Sequence, residues 1–193
     1  MVAPWNIAVK IKASTQRFYA VFFALLFVLG LSSCDSNTIN SPNENQGPRL
    51  EAISFKQWEQ QLSDYQSKIV VVDLWAMWCT SCIERFPQMV EMHDAYKQQN
   101  VQFVSLNLDD RDDTESVNRA GEFLVKVNAE FDNFHMNENL IDAFDRFKLI
   151  GIPAVLIYDG KGVERYRLTN DNPSKQFGEE DIESAIKTLL AEA

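Results

Sequence analysis

The chain has 193 residues, of which 28 are acidic and 18 basic, so its formal net charge is −10. The length fits one domain with appendages, and a hydrophobic share of 46% is enough for one folded core. Such an acidic chain is not expected to bind nucleic acid or to dock electrostatically on anionic lipid. Three cysteines are too few for a small scaffold held together by disulfides.

The first 33 residues have the layout of an export signal. They contain three basic residues and no acidic one, and residues 18–31 form an apolar run of 14 residues. A bilayer-spanning helix needs roughly 20 apolar residues, so a secretory signal peptide is the better interpretation. The run ends in LSSC, which resembles the bacterial lipoprotein signal, and this resemblance implies that Cys34 is lipid-modified. An uncleaved signal anchor and an ordinary cleaved signal are the alternatives.

Three segments are therefore predicted. Residues 1–33 are the signal peptide, residues 34–48 are the lipidated cysteine with a flexible linker, and residues 49–193 are the folded domain. The linker is polar and rich in Asn, Ser and Pro, so it cannot bury enough apolar surface to fold. We expect the protein in the bacterial cell envelope, lipid-anchored to a membrane and facing the periplasm or the outside of the cell.

The first part of the domain alternates between strand-like and helix-like patterns. Residues 50–53 are a possible edge strand, and Ser54 is a typical N-cap for a helix over residues 55–67. Residues 69–75 form a continuous run of apolar, mostly β-branched side chains, as expected of a strand buried on both faces. A helix over residues 79–99 follows, with an apolar stripe along one side.

The rest of the domain continues the alternation and closes with a hairpin. Two β-type runs on either side of the sequence DGKG predict an antiparallel hairpin. The elements expected here are strands over 101–108, 131–136, 154–158 and 163–168, a helix capped by Thr114, and helices over 139–147 and 179–190. Together they predict a mixed α/β sheet that is covered by helices on both faces.

Cys79 and Cys82 form a CxxC motif where a buried strand passes into a helix, which is the arrangement of redox-active cysteines. Positions i and i+3 face the same side of a helix, so the two sulfurs can join or separate with little backbone motion. The helix N-terminus stabilises a thiolate on Cys79. We therefore predict that Cys79 attacks and that Cys82 resolves the mixed disulfide.

The residues around this motif resemble the thioredoxin active-site segment. The stretch VDLWAMWCTSC ends at Cys82, and Pro87 follows five residues later. Residues 151–155 (GIPAV) resemble the cis-proline loop that faces this site in the family. The segment between Asp109 and Met136, together with the export signal, is similar to the membrane-anchored TlpA/ResA-type branch. The resemblance implies a thioredoxin-like fold with a helical insert before the cis-proline strand.

The resemblance also implies roles for individual residues. Pro153 would follow a cis peptide bond, and the backbone of Ile152 would pair with a substrate chain beside Cys79. Asp73 matches the buried carboxylate behind the second cysteine, where burial would raise its pKa and allow proton exchange with Cys82.

Trp75 and Trp78 would frame the site and supply a flat contact surface for the substrate. Two positions depart from the family pattern. Arg85 stands where the branch often has a glutamate, and Ser105 stands where thioredoxins have a lysine that partners the buried carboxylate. We therefore expect the charge of Asp73 to be less well compensated than in thioredoxins.

These features predict an extracytoplasmic thiol–disulfide oxidoreductase that acts on protein thiols and disulfides without a cofactor or a metal. The branch resemblance implies that it reduces disulfides, as in the maturation of c-type cytochromes, and that a membrane thiol–disulfide protein supplies the electrons. The alternatives are a copper-delivery protein with Cys79, Cys82 and His135 as ligands, and a peroxidase on the same fold. The acidic run at residues 109–113 is interpreted as a solvated loop that precedes a helix.

Overall fold

The computed structural model describes residues 47–170, residue 174 and residues 176–192. The predicted signal peptide, Cys34 and the linker up to residue 46 lie outside the described residues. Within the described part of the chain, no helix combines the length and the apolar character that crossing a membrane requires.

The described residues form an alternating series of strands and helices, as the sequence predicts. The strands are β1 Leu50–Ile53, β2 Ile69–Trp75, β3 Val101–Asn107, β4 Asp132–Met136, β5 Ala154–Tyr158 and β6 Glu164–Thr169. The helices are α1 Phe55–Asp64, α2 Thr80–Tyr96, α3 Thr114–Lys126, α4 Leu140–Phe147 and α5 Glu179–Glu192. The observed ends lie within about three residues of the predicted ends, as is usual at frayed helix termini.

All six strands belong to one mixed sheet in the order β1-β4-β3-β2-β5-β6. The first four strands in this order are parallel to one another, whereas β5 is antiparallel to both β2 and β6. The predicted hairpin is thus the β5–β6 pair. Strand β2 lies inside the sheet, and all seven of its residues are buried, as its continuous apolar run indicates.

Helices cover both faces of the sheet, so that two apolar clusters form around it. One cluster contains Phe86 of α2, Leu124 of α3 and Ile186 of α5. The other contains Trp58 of α1 and Phe147 of α4. Each large apolar side chain that is fully buried contributes roughly 1.5–3 kcal/mol to folding. The predicted layered α/β fold is confirmed.

The segment between β3 and α4 is the predicted insert, and it consists of α3 and β4. Strand β4 pairs with β1 on one side and with β3 on the other, so the insert also extends the sheet. The predicted cap of α3 was wrong by one residue. Asp113, not Thr114, is the N-cap, and its carboxylate accepts a hydrogen bond of 3.1 Å from the backbone N–H of Ser116. A carboxylate at this position also interacts favourably with the helix dipole.

Candidate active site

The two cysteines of the CxxC motif meet at the first turn of α2. Cys79 is the N-cap of the helix, and it forms a disulfide with Cys82, whose Cα atom is 5.3 Å away. The backbone N–H of Cys82 points at the sulfur of Cys79, with an N···Sγ distance of 3.3 Å. A thiolate on Cys79 would therefore accept a hydrogen bond from the helix terminus and would be stabilised by the helix dipole.

The two sulfur-bearing residues differ in their access to solvent. Cys79 retains 6% of its accessible surface, whereas Cys82 retains none and packs beside Trp75 and Phe86 in the core. Of the two, only Cys79 retains any accessible surface. The difference in burial agrees with the assignment of Cys79 as the attacking residue.

Hydrogen bonds accepted by the carboxylate of Asp109 hold the loop that precedes the cysteines. Both carboxylate oxygens of Asp109 accept from the backbone N–H of Met77, at 3.1 and 3.0 Å, and one also accepts from the side chain of Asn107 at 2.7 Å. The loop is held further by the backbone N–H of Leu108, which donates to the carbonyl of Trp75 at 2.7 Å. The end of β3 thus fixes the approach of the chain to Cys79.

The buried position of Asp109 corrects one prediction. The acidic run was interpreted as a solvated loop, but Asp109 is only 1% exposed because its carboxylate turns inward to satisfy two N–H donors. Asp110, by contrast, is only partly buried. Hydrogen bonds from the backbone N–H groups of Asp112 and Leu140 lower the pKa of Asp110.

The loop before β5 lies at the same end of the sheet. The Ile152–Pro153 peptide bond is cis, as the resemblance implies. The next residue, Ala154, is paired with Leu74 of β2, one position before the end of that strand. This register places Pro153 next to the point where the chain leaves β2 for the CxxC motif.

The two tryptophans next to the motif have different environments. Trp75 is fully buried, and its ring lies 4.9 Å from that of Phe86. Trp78 is 53% exposed, with its ring 6.4 Å from the ring of Phe144 on α4. Trp75 therefore belongs to the core, whereas Trp78 is available at the surface.

Asp73 is completely buried in the middle of β2, and Arg85 of α2 forms an ion pair with it. Burial raises the pKa of Asp73, and the positive charge of Arg85 opposes that rise. Ser105 is the neighbour of Asp73 on β3, but its hydroxyl donates to Asn133 at 2.7 Å. The positive charge beside Asp73 thus comes from Arg85 and not from the position of Ser105.

Sequence reasoning noted Arg85 only as a departure from a pattern. A signal for its role was present, since Arg85 follows Cys82 by three residues and so lies on the same side of α2 as that core cysteine. An arginine at a core-facing helical position needs a buried partner. Asp73 is the acidic residue in the neighbouring apolar strand.

His135 does not join the two cysteines. Its Nε2 lies 2.9 Å from the carbonyl oxygen of Asp109. Among the described residues, no group of three His, Cys, Asp or Glu side chains is arranged to hold a metal ion. The three-ligand copper site considered from the sequence is therefore not assembled.

The sheet order, the CxxC motif at a helix N-terminus and the adjacent cis-proline loop define a protein of the thioredoxin-like class. Residues 44–167 match the sequence profile of the AhpC/TSA family. The chain belongs to this family. The family assignment made from the sequence is thereby confirmed.

Curated relatives carry names that agree with this class. The thiol-disulfide oxidoreductase ResA of Geobacillus kaustophilus is 34% identical over 61 residues, which are 32% of this chain and 35% of the relative. The thiol:disulfide interchange protein DsbE of Vibrio cholerae is 25% identical over 138 residues, which are 68% of this chain and 65% of the relative. The chain thus spans about a third of the length of the ResA relative.

Solved structures show the same fold. A protein of Chlorobium tepidum, assigned as a thiol:disulfide interchange protein DsbE, has a TM-score of 0.55 and 29% identity, covering 67% of this chain and 84% of that one. A thiol-disulfide isomerase of Corynebacterium glutamicum has a TM-score of 0.56 and 20% identity, covering 68% of this chain and 86% of that one. The predicted thioredoxin-like fold is confirmed.

Proposed function

We propose that this protein is a thiol–disulfide oxidoreductase whose substrates are protein thiols and disulfides. The observation that carries the proposal is the bonded pair of cysteines at the N-terminus of α2, of which Cys79 retains 6% of its accessible surface and Cys82 none. The names of the ResA and DsbE relatives support the same activity.

In the reducing direction, the reaction has two exchange steps. The thiolate of Cys79 attacks one sulfur of a substrate disulfide and bonds to it, and the other substrate sulfur leaves as a thiolate. Cys82 then loses its proton and attacks the sulfur of Cys79, so that the second substrate sulfur leaves. Two electrons have passed to the substrate, and the protein carries the Cys79–Cys82 disulfide.

The surroundings of Cys79 suit a polypeptide substrate. The backbone of Ile152, held by the cis bond to Pro153, would pair with an extended chain beside Cys79. Trp78, the residue before Cys79, offers an exposed ring. These groups would place a substrate disulfide in line with the attacking sulfur. Such positioning lowers the activation barrier, because the entropy of bringing the two reactants together is lost on binding and not in the reaction step.

We propose further that the protein works as a reductant in the cell envelope, with cytochrome c maturation as one task. Its electrons would come from a membrane thiol–disulfide protein, as the resemblance to the TlpA/ResA-type branch implies. Lipid on Cys34 would hold the domain at the membrane, facing the periplasm or the outside of the cell.

The activity is tested by the reduction of insulin disulfides with the full chain purified in a non-ionic detergent. We expect Cys79→Ser to reduce the rate to the uncatalysed background, because no attacking thiolate remains. Cys82→Ser should accumulate a covalent adduct between Cys79 and the substrate, visible by mass spectrometry, because the resolving step is blocked. Equal rates for the wild-type chain and Cys79→Ser would contradict the proposal.

The direction of electron flow is tested by the reduction potential of the cysteine pair. Equilibration with glutathione should give a reduction potential of about −270 mV for a reductant, whereas an oxidant would have a reduction potential of about −120 mV. A value at the oxidising end would overturn the proposed direction and leave the exchange chemistry intact.

A further inference from the structure

A buried ion pair lies on the sheet face that also carries Cys82. Side chains alternate along a strand, and the neighbours of Asp73 at two positions on either side, Val71 and Trp75, both belong to the core cluster that contains Cys82. Asp73 therefore points to the same side. Arg85 follows Cys82 by three residues on α2, so one side of this helix presents both the resolving sulfur and the guanidinium group.

The pair is enclosed, but its hydrogen bonds are incomplete. One amino group of Arg85 contacts Oδ1 of Asp73, and the ring of Phe177 lies 5.2 Å from the guanidinium carbon. Oδ2 of Asp73 and the other two nitrogens of Arg85 find no hydrogen-bond partner among the described residues. Asp73 thus keeps one oxygen that is free to accept a proton.

No second charge competes with Arg85 for Asp73 within the described part of the chain. The neighbouring strands present the neutral residues Ser105 and Val155 at the positions paired with Asp73. The buried face of α5 is formed by apolar residues such as Ile182 and Ile186. On α2, the groups on this side that can carry charge are Arg85 itself and the thiol of Cys82.

We propose that Arg85 is a positioning residue that sets the pH at which Asp73 accepts the proton of Cys82 in the resolving step. The inference rests on the proposed function. As the sulfur of Cys82 bonds to that of Cys79, the Cys82 proton passes to Asp73, and the substrate sulfur leaves as a thiolate. Asp73 later returns the proton to water, so Asp73 is ionised again after each exchange.

The direction of the effect follows from the charge of Arg85. Asp73 can accept a proton only when it is ionised, which requires a pH above its pKa. Burial raises this pKa and Arg85 opposes the rise, so removal of Arg85 raises the pKa further. The acidic limb of the pH profile of the resolving step should then move to higher pH. An opposite charge at this range typically accounts for about one to three pH units.

The resolving step can be measured alone with an aromatic disulfide, dithiobis(nitrobenzoate). Cys79 releases one thionitrobenzoate from the reagent, and the attack of Cys82 releases a second at a rate that does not depend on reagent concentration. The full chain in detergent carries Cys34→Ser, so that only the two motif thiols react. The rate of the second release is recorded against pH by stopped-flow absorbance.

We expect Arg85→Gln to move the acidic limb upward by about one to three pH units. Arg85→Lys should restore most of the wild-type profile, because it keeps the charge. The matched control is Arg119→Gln, which removes the same charge from an exposed position on α3 and should leave the profile unchanged.

A double-mutant cycle separates this role from a structural one. If Arg85 acts through Asp73, adding Arg85→Gln to Asp73→Asn leaves the profile of the Asp73→Asn chain unchanged. The comparison does not need Arg85→Gln alone to fold, because it uses the double variant, which buries no unpaired charge, and the Asp73→Asn chain, in which the ring of Phe177 still faces Arg85 at 5.2 Å.

Three outcomes would overturn the inference. The inference is wrong if the pH profile of Arg85→Gln coincides with the wild-type profile. It is also wrong if adding Arg85→Gln to the Asp73→Asn chain still shifts the pH profile. In both cases the exchange reaction itself, and hence the proposed function, stands. A wild-type chain that releases no second thionitrobenzoate at any pH overturns the proposed function and this inference together.

Discussion

At the scale of single residues, two buried aspartates near the CxxC motif have different tasks. Asp73 lies in β2 and pairs with Arg85, whereas Asp109 follows β3 and accepts from the backbone before Cys79. The first can take part in proton transfer. The second holds the loop in place, because a buried carboxylate must have its hydrogen bonds satisfied.

The role of Asp109 can be tested by substitution. Asp109→Ala leaves the N–H of Met77 and the side-chain amide of Asn107 without their acceptor, and an unsatisfied buried donor costs about 1–3 kcal/mol. We expect the free energy of unfolding to fall by that amount in urea titrations and insulin reduction to slow as the loop loosens. Asp112→Ala in the same acidic run is the control, because Asp112 is exposed. Equal losses in both variants would contradict the role.

The sequence predicted the residues of the site that belong to local motifs. Cys79, Cys82 and Pro153 could be identified because each lies within a short stretch that resembles a known segment. The tasks of Arg85 and Asp109 could not be found in that way. Their partners are 12 and 32 residues distant in sequence, and such pairings exist only after the sheet has formed.

At the scale of elements, the helix termini are where local sequence determines structure most directly. Helix α1 begins with a capping box, in which the hydroxyl of Ser54 accepts from the N–H of Gln57 and the Gln57 side chain accepts from the N–H of Ser54. Because these contacts span only three residues, the cap was predictable from the sequence. The Asp113 cap was missed because two adjacent residues, Asp113 and Thr114, are both good caps.

The cap of α1 makes a specific prediction. Ser54→Ala should lower the free energy of unfolding by about 1 kcal/mol, because the N–H of Gln57 loses its acceptor. The control is Ser63→Ala near the other end of the same helix, where the hydroxyl only bonds back to the carbonyl of Glu59. We expect little change there, since such bonds contribute little to helix stability. Chemical denaturation followed by circular dichroism distinguishes the two, and the prediction is wrong if Ser63→Ala costs as much.

Periodicity indicated which segments are strands but not which strands are neighbours. The segment that forms β4 gave no hint that it would lie between β1 and β3. The order of strands depends on how the two apolar clusters close around the sheet. That is a property of many residues at once, and no short window of sequence contains it.

At the scale of the whole molecule, the domain described here and the predicted anchor are separate parts. The folded domain carries the entire CxxC site. We propose that lipid on Cys34 attaches the protein to the membrane. A tether of this kind would confine the site to one membrane surface.

The anchor is tested by Cys34→Ser in a bacterial host. This variant should leave the membrane fraction, because acyl chains bound to the cysteine provide the attachment. Its insulin reduction should remain unchanged, since Cys34 is outside the site. Fractionation followed by immunoblotting measures the distribution, and metabolic labelling with a fatty acid reports the modification. Retention of Cys34→Ser in membranes would favour an uncleaved signal anchor.

The position of β4 has a consequence for attempts to shorten the domain. Because β1 pairs with β4 and not with β3, the segment from Thr114 to Met136 cannot be deleted without disrupting the sheet. Its deletion would leave β1 without a pairing partner, so that β1 would have to pair with β3 in a new register. Trp75 and Phe86 would also lose the cover that α3 provides. A minimal version of this protein must therefore keep the insert or redesign the sheet edge with it.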